Sequence, residues 1–140
     1  MMNQFNEWLE QNGLTLAFTT VAGDSLYVNR EKGFGVLKKL NDYGAQSFFL
    51  NDIAEIRTCD DENLVAEWNC MGFWRTGERN MRYSTNEVYM KISFRTQPAL
   101  KLQIFHGTNG NITRGTVEHY NMYNYACQLT QFVCDLATGK

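Results

Sequence analysis

The amino-acid sequence predicts an α+β fold, in which an antiparallel sheet or partial barrel has a short N-terminal helix and a long C-terminal capping helix. Two observations support this prediction. Short segments with alternating apolar and polar residues follow one another along most of the chain, as expected for strands with one buried face. The last segment instead carries apolar residues at alternating steps of four and three, which is typical of an amphipathic helix. Packing that helix on the sheet would bury both apolar surfaces.

Length and composition indicate one domain. The chain has 140 residues, of which 44% are hydrophobic, and a chain of this size can bury a core without metal ions or disulfides. Proline occurs once and the 11 glycines are scattered, so the sequence contains no segment that resembles a linker. We therefore predict a single domain over residues 1–140.

The net charge of the chain limits the classes of partner, and its cysteines indicate the cellular compartment. A formal net charge of −2 gives no overall attraction to nucleic-acid phosphates or anionic membranes. The sequence lacks an apolar run of about 20 residues that would span a bilayer, and its start lacks the basic and apolar regions of a signal peptide. The cysteines show no CxxC spacing, so reduced thiols and a cytoplasmic location are predicted. They are Cys59, Cys70, Cys127 and Cys134.

The first half of the chain predicts one helix followed by strands. Apolar residues at helical spacing in residues 5–9 precede Asn12-Gly13, a helix stop, so a short amphipathic helix is expected there. From Leu14 the apolar period changes to two, and the turn-like Ala22-Gly23-Asp24 connects two strands of a hairpin. Further strands are predicted at residues 33–40, 46–50, 53–58 and 63–68.

The second half contains the clearest patterns. Apolar side chains alternate over Val88–Phe94, and Pro98 suits a turn into a second alternating run, Leu100–Ile104, which predicts a hairpin. Thr116 is placed to cap a long helix. The segment 69–86 fits neither pattern and leaves the number of strands open. The apolar stripe predicted for the helix consists of Met122, Ala126, Leu129, Val133 and Leu136.

Two segments resemble the bacterial pleckstrin-homology-like (PH-like) domains. Phe48-Phe49-Leu50-Asn51-Asp52-Ile53-Ala54-Glu55-Ile56 is similar to their strand, Asp-Ile pair and second strand, and Tyr120–Leu136 looks like their closing helix. In this way most of the chain resembles small uncharacterised bacterial proteins of that type. The resemblance implies a PH-like fold and hardly any activity, because this scaffold binds lipids, peptides or nothing known.

No group of residues predicts a metal, cofactor or catalytic site. Cys127 and Cys134 share a helix face, but two turns of helix separate them by about 10 Å, too far to chelate without further ligands. His119, in the first turn of the helix, is expected to be exposed. The acidic run Asp60-Asp61-Glu62 is expected to form a solvated hairpin tip, and Gly107–Asn111 lacks the glycine pattern of a phosphate-binding loop.

The most unusual segment, residues 68–83, contains two of the three tryptophans together with three arginines. Trp, Met and Arg are enriched where proteins meet partners, which predicts a binding surface for another protein. In the alternative interpretation, Trp68, Cys70 and Trp74 point into the sheet and the arginines lie on its outer face. The residues predicted to form the partner surface are Phe73, Trp74, Arg75, Arg79 and Arg82.

These observations favour a protein-interaction or regulatory module without catalysis or a cofactor. Two alternatives stay open. One is a small enzyme, hydrolase-like or nucleotide-handling, whose site is assembled from dispersed residues. The other is a bacterial immunity or phage-related protein that neutralises a partner by binding it. A pocket with converging titratable groups would distinguish an enzyme from a binding module.

Overall fold

A computed structural model describes residues 4–40, 44–77, 84–107, 112–113 and 116–139. Within these ranges the chain forms two α-helices, a short 3-10 turn at Leu50–Asp52 and eleven strands. Helix α1 covers Gln4–Gln11 and helix α2 covers Val117–Thr138. The strands are β1 (Thr15–Thr19), β2 (Ser25–Asn29), β3 (Phe34–Lys38), β4 (Ala45–Phe49), β5 (Ile53–Asp60), β6 (Asn63–Asn69), β7 (Trp74–Thr76), β8 (Ser84–Thr85), β9 (Glu87–Phe94), β10 (Leu100–His106) and β11 (Ile112–Thr113).

All strand pairs of the described residues are antiparallel. One sheet has the order β1-β2-β3-β4, and a second has the order β10-β9-β5-β6-β7. Strands β8 and β11 form a separate pair. Over the residues that the structure describes, these sheets are not closed into a barrel. The predicted α+β class is therefore confirmed, with a short first helix and a long last one.

Helix α1 covers one face of the first sheet. Its Leu9 packs with Leu14 and Val36 in a small buried cluster, and the rings of Phe5 and Tyr27 meet edge to face with centroids 5.6 Å apart. The helix ends at Gln11, and the turn after it contains Gly13, whose φ of +66° is one that side chains rarely adopt. The Asn12-Gly13 stop predicted from the sequence is thus observed.

Helix α2 packs against the second sheet through its apolar stripe. Ala126, Leu129, Val133 and Leu136 are buried, in a cluster that draws on both large sheets, while Met122 is half-buried beside it. The Thr116 hydroxyl caps the helix by accepting a hydrogen bond from the backbone N–H of residue 119. The helix is therefore part of the core, as its pattern predicted.

Asp24 joins the two large sheets. Its carboxylate, 3% exposed, accepts hydrogen bonds from the backbone N–H of Leu40, the backbone N–H of Gln103 and the Lys39 ammonium. Because Gln103 belongs to β10 and Asp24 precedes β2, this buried acid holds the edge of the second sheet against the start of the first. Neither helix, over the residues that the structure describes, is long and apolar enough to cross a membrane.

Candidate functional site

The turn between β6 and β7 exposes large apolar side chains. The Asn69 side chain accepts from the backbone N–H of Met71 at 2.9 Å, and the Asn69 backbone N–H donates to Phe73 O at 3.0 Å. Gly72, with φ +91°, supplies the left-handed residue that this tight turn needs. The result is a hydrogen-bonded turn in which Met71 is 89% exposed and Phe73 48% exposed.

Trp74, the first residue of β7, continues this apolar surface. It lies directly opposite Trp68 of β6, and residues paired in this way share a face of the sheet. Trp68 is 8% exposed and belongs to the core, whereas Trp74 is 38% exposed because β7 is the last strand of its sheet. The inward orientation considered for these residues is confirmed for Trp68 and wrong for Cys70, which is exposed.

Arg75 projects from the other face of β7. Consecutive residues of a strand point to opposite faces, so Arg75 and Trp74 are separated by the sheet. The Arg75 guanidinium forms an ion pair with Glu67 on the neighbouring strand and keeps 56% of its side chain exposed. The predicted surface is thus divided between two faces, and Arg79 and Arg82 lie outside the described residues.

The backbone of β7 has an open side. The Gly77 N–H donates to Val65 O and the Asn69 N–H donates to Phe73 O. In an antiparallel pair the bonded residues alternate with residues whose N–H and C=O point outward, so Trp74 and Thr76 direct these groups away from β6. Among the described residues β7 pairs with β6 alone. An edge of this kind is a template for pairing with another chain.

A buried polar pair lies beneath the start of α2. His119 is 1% exposed, and its Nε2 atom lies 2.8 Å from the Asp60 carboxylate, which is itself buried. At this distance the imidazole N–H donates to the carboxylate. The Nδ1 atom is buried without a partner among the described residues. The expectations of an exposed histidine and a solvated Asp60 are therefore wrong.

The regular alternation of β5 explains the buried acid. Strand β5 pairs with β9 without a shift from residue 55 to residue 60, so Ile56, Thr58 and Asp60 lie on one face of the strand, and all three are buried. Thr58 and Asp60 both form hydrogen bonds with side chains of α2 on that face. Asp61 follows with φ 53°, and its carboxylate accepts from the backbone N–H of residues 86 and 87. The acidic run thus shapes the turn.

The described side chains offer little for nucleophilic or metal chemistry. Burial raises the pKa of the Cys134 thiol to about 12 and raises that of Cys127 above its ordinary value, so both stay protonated at neutral pH and lack the nucleophilic thiolate. No group of three His, Cys, Asp or Glu side chains in the described ranges could hold a metal ion. The His119–Asp60 pair is closed to a substrate by its burial.

Comparison of the chain with protein-family models, curated proteins and solved structures found no match. The chemistry of the surface at the end of β6 and the start of β7 is therefore the guide to function. That surface combines exposed apolar side chains, a forked cation and an open strand edge, which suits non-covalent contact with a macromolecule better than a reaction.

Proposed function

We propose that the protein is a non-catalytic interaction module of the PH-like type, and that it binds another protein along β7. The observation that carries the proposal is the exposure of Met71, Phe73 and Trp74 beside an open strand edge. Large rigid side chains of this kind supply most of the binding energy in protein interfaces, where they lose water on contact. We call these three residues with Arg75 the β7 surface.

The division of the β7 surface between two faces favours one mode of binding. An extended segment that pairs with the outward N–H and C=O groups of Trp74 and Thr76 would add a strand to the sheet and place its side chains alternately on the two faces. It would contact the Trp74 ring on one face and the Arg75 guanidinium on the other. Main-chain pairing would then give affinity, and these two side chains would select the sequence of the segment.

The PH-like part of the proposal is supported by two antiparallel sheets with a C-terminal helix across them, together with the sequence resemblance at residues 48–56. The cytoplasmic part is supported by the free thiols, since an exposed thiol such as Cys70 persists in a reducing compartment. Binding along β7 requires neither a PH-like fold nor a cytoplasmic location.

Photo-crosslinking in the native host tests the binding surface. A photoreactive phenylalanine analogue is placed at position 73, and in a matched control at Phe49, an aromatic residue of β4 that is 65% exposed on the other sheet. We expect a discrete adduct with one protein from position 73 and none with that protein from position 49. Equal yields of the same adduct from both positions would contradict the proposal.

Binding measurements with the partner identified in this way test the anchors. Truncation of an interface anchor removes about 2 kcal/mol or more of binding energy, so Trp74→Ala should weaken Kd by about 30-fold. Phe73→Ala is the cleaner variant because Phe73 lies in the turn and is half exposed, so its loss leaves no cavity in the core. If both variants stay folded and bind within twofold of the wild type, the β7 surface is not the interface.

A further inference from the structure

A groove of about 530 Å³ lies at the N-terminal half of α2, away from β7. One wall is formed by Glu118, Asn121, Met122 and Tyr125, whose spacing of three and four residues places them on one side of the helix. This side adjoins the stripe that packs into the core. The volume lies within the range of about 300–1,000 Å³ typical of small-molecule sites.

The opposite wall is apolar. It consists of Phe105 at the end of β10, Ile112 of β11 and Val21 in the turn between β1 and β2. Together with Met122, these residues give the groove an apolar surface on two sides. A ligand that fills the groove therefore needs an apolar body, because polar groups placed against these side chains would lose their hydrogen bonds to water.

Three polar groups of α2 face this apolar space. The Glu118 carboxylate, the Asn121 amide and the Tyr125 hydroxyl form no hydrogen bond with another side chain or backbone group in the described ranges. Burial raises the pKa of Tyr125, as expected for a hydroxyl in apolar surroundings. Unused donors and acceptors at the rim of an apolar pocket are the groups that orient a ligand in typical binding sites.

The formal charge of the residues that line the groove indicates which charge a ligand should carry. Glu118 carries the one formal charge among the lining residues that the structure describes. An anion such as a fatty carboxylate would meet a like charge there, whereas an ammonium group would meet an opposite one across a partly apolar site. Asn121 and Tyr125 add acceptors for the remaining N–H groups.

We propose that this groove binds a small amphiphilic cation, an apolar chain that carries one ammonium group. The ammonium lies at Glu118, and the apolar chain lies between Met122 and Phe105. The site is separate from the β7 surface, and neither depends on the other.

Titration with three eight-carbon probes tests the charge requirement. Octylammonium, octanoate and 1-octanol share a chain length and differ in the head group, and each is used below its micelle concentration. Binding is followed by NMR of the Met122 and Ile112 methyl groups, which line the groove. We expect octylammonium to shift both signals and to bind at least tenfold more tightly than octanoate. Equal affinity of the two ions, or no shift with octylammonium, would overturn the proposal.

Three variants locate the site. Glu118→Gln removes the charge and should weaken octylammonium binding about tenfold while 1-octanol is unaffected. Asn121→Trp fills the groove from an exposed helix position and should abolish binding of all three probes. Gln128→Trp, two turns further along α2 at another exposed position, is the matched control and should bind normally.

Circular dichroism verifies that each variant is folded. If Asn121→Trp does not fold, the octylammonium affinity of Glu118→Gln is the deciding measurement. This variant should fold, because removing one exposed carboxylate creates no clash. Unchanged octylammonium affinity in Glu118→Gln would overturn the proposal, as would normal binding by folded Asn121→Trp.

Discussion

Replacing Gly77 with alanine tests how β7 is held against β6, and so the support of the β7 surface. A Cβ atom at residue 77 would overlap the backbone oxygen of Leu64 and lie 2.7 Å from Leu64 C, and real Cβ atoms essentially never approach other atoms within 3.0 Å. Both of these atoms belong to the backbone of β6, so no change of side-chain rotamer relieves the clash. The end of β7 must move away from β6.

The cost follows from the hydrogen bonds that this movement breaks. The Gly77 N–H donates to Val65 O at 3.0 Å, and the Tyr123 hydroxyl donates to Gly77 O at 2.8 Å. Each such bond contributes about 0.5–1.5 kcal/mol net. The alanine also restricts the unfolded chain, which offsets about 0.4–1 kcal/mol. We therefore expect Gly77→Ala to lower the free energy of unfolding by about 1–2 kcal/mol.

Urea denaturation followed by tryptophan fluorescence measures this change. Tyr123→Phe is the control, because it removes one of the two hydrogen bonds without a clash and should cost about 1 kcal/mol. Gly77→Ala should also weaken binding of the partner captured at position 73, since Trp74 and Arg75 move with β7. A variant that is as stable as the wild type or more stable would refute the close packing of residue 77 on β6.

Three further predictions concern the core and the thiols. Leu129→Ala should cost about 2–5 kcal/mol in urea denaturation, because Leu129 is buried in the main cluster; a change under about 0.5 kcal/mol would mean that α2 is peripheral. Asp60→Ala leaves a buried imidazole N–H without its acceptor and should cost about 1–3 kcal/mol; a double-mutant cycle with His119→Ala should show coupling above about 0.5 kcal/mol, and strict additivity would contradict the pair. In the folded protein iodoacetamide should modify Cys70 well before Cys134, because Cys70 is exposed and burial raises the pKa of Cys134 to about 12; equal rates in peptide mass spectrometry would contradict this.

Local patterns predicted the elements that depend on local physics. The alternation over Val88–Phe94 became β9, with Val88, Met90 and Ile92 buried, because seven residues of one period leave little choice of face. The stripe of α2 was equally clear. The alternation of β9 and the stripe of α2 each extend over enough residues that one residue of the wrong polarity would not change the predicted element.

Long-range pairing determined what the sequence could not predict. The predicted strand ended at residue 58, whereas β5 continues to Asp60, which lies on the same buried face as Thr58. Burial of an acid requires a partner that the fold brings from elsewhere, here His119. No local signal joins residues 59 positions apart. With an alignment, joint variation of these two positions would have been the signal to seek.

Sheet order likewise decided the exposure of the tryptophans. Trp68 and Trp74 have the same parity in the sequence, and they share a face in the structure. Strand β9 pairs with β5 and not with β7, so β7 is the edge strand of the sheet. Trp74 therefore has a neighbouring strand on one side only and stays 38% exposed. Whether Trp74 is a core residue or a surface anchor therefore depended on the pairing of β9, which begins at Glu87.

The β7 surface and the α2 groove lie at opposite edges of the second sheet, because β7 is one edge strand and Phe105 belongs to the other, β10. Helix α2 reaches both edges: the Tyr123 hydroxyl donates to the backbone oxygen of Gly77, the residue after β7, and the adjacent Met122 lines the groove.

Buried contacts at the start and in the second half of α2 fix the helix between these two edges. Thr130 Oγ1 lies 2.6 Å from Thr58 Oγ1 on β5, and His119 is paired with Asp60. A packed interior does not deform gradually, so movement of the helix would have to break these bonds. We therefore expect saturating octylammonium to leave the affinity for the partner unchanged, and Trp74→Ala to leave octylammonium binding unchanged. Titration of each ligand in the presence of the other measures this. A change above about twofold, equal in both directions as linkage requires, would show that α2 moves and that its buried contacts do not hold it.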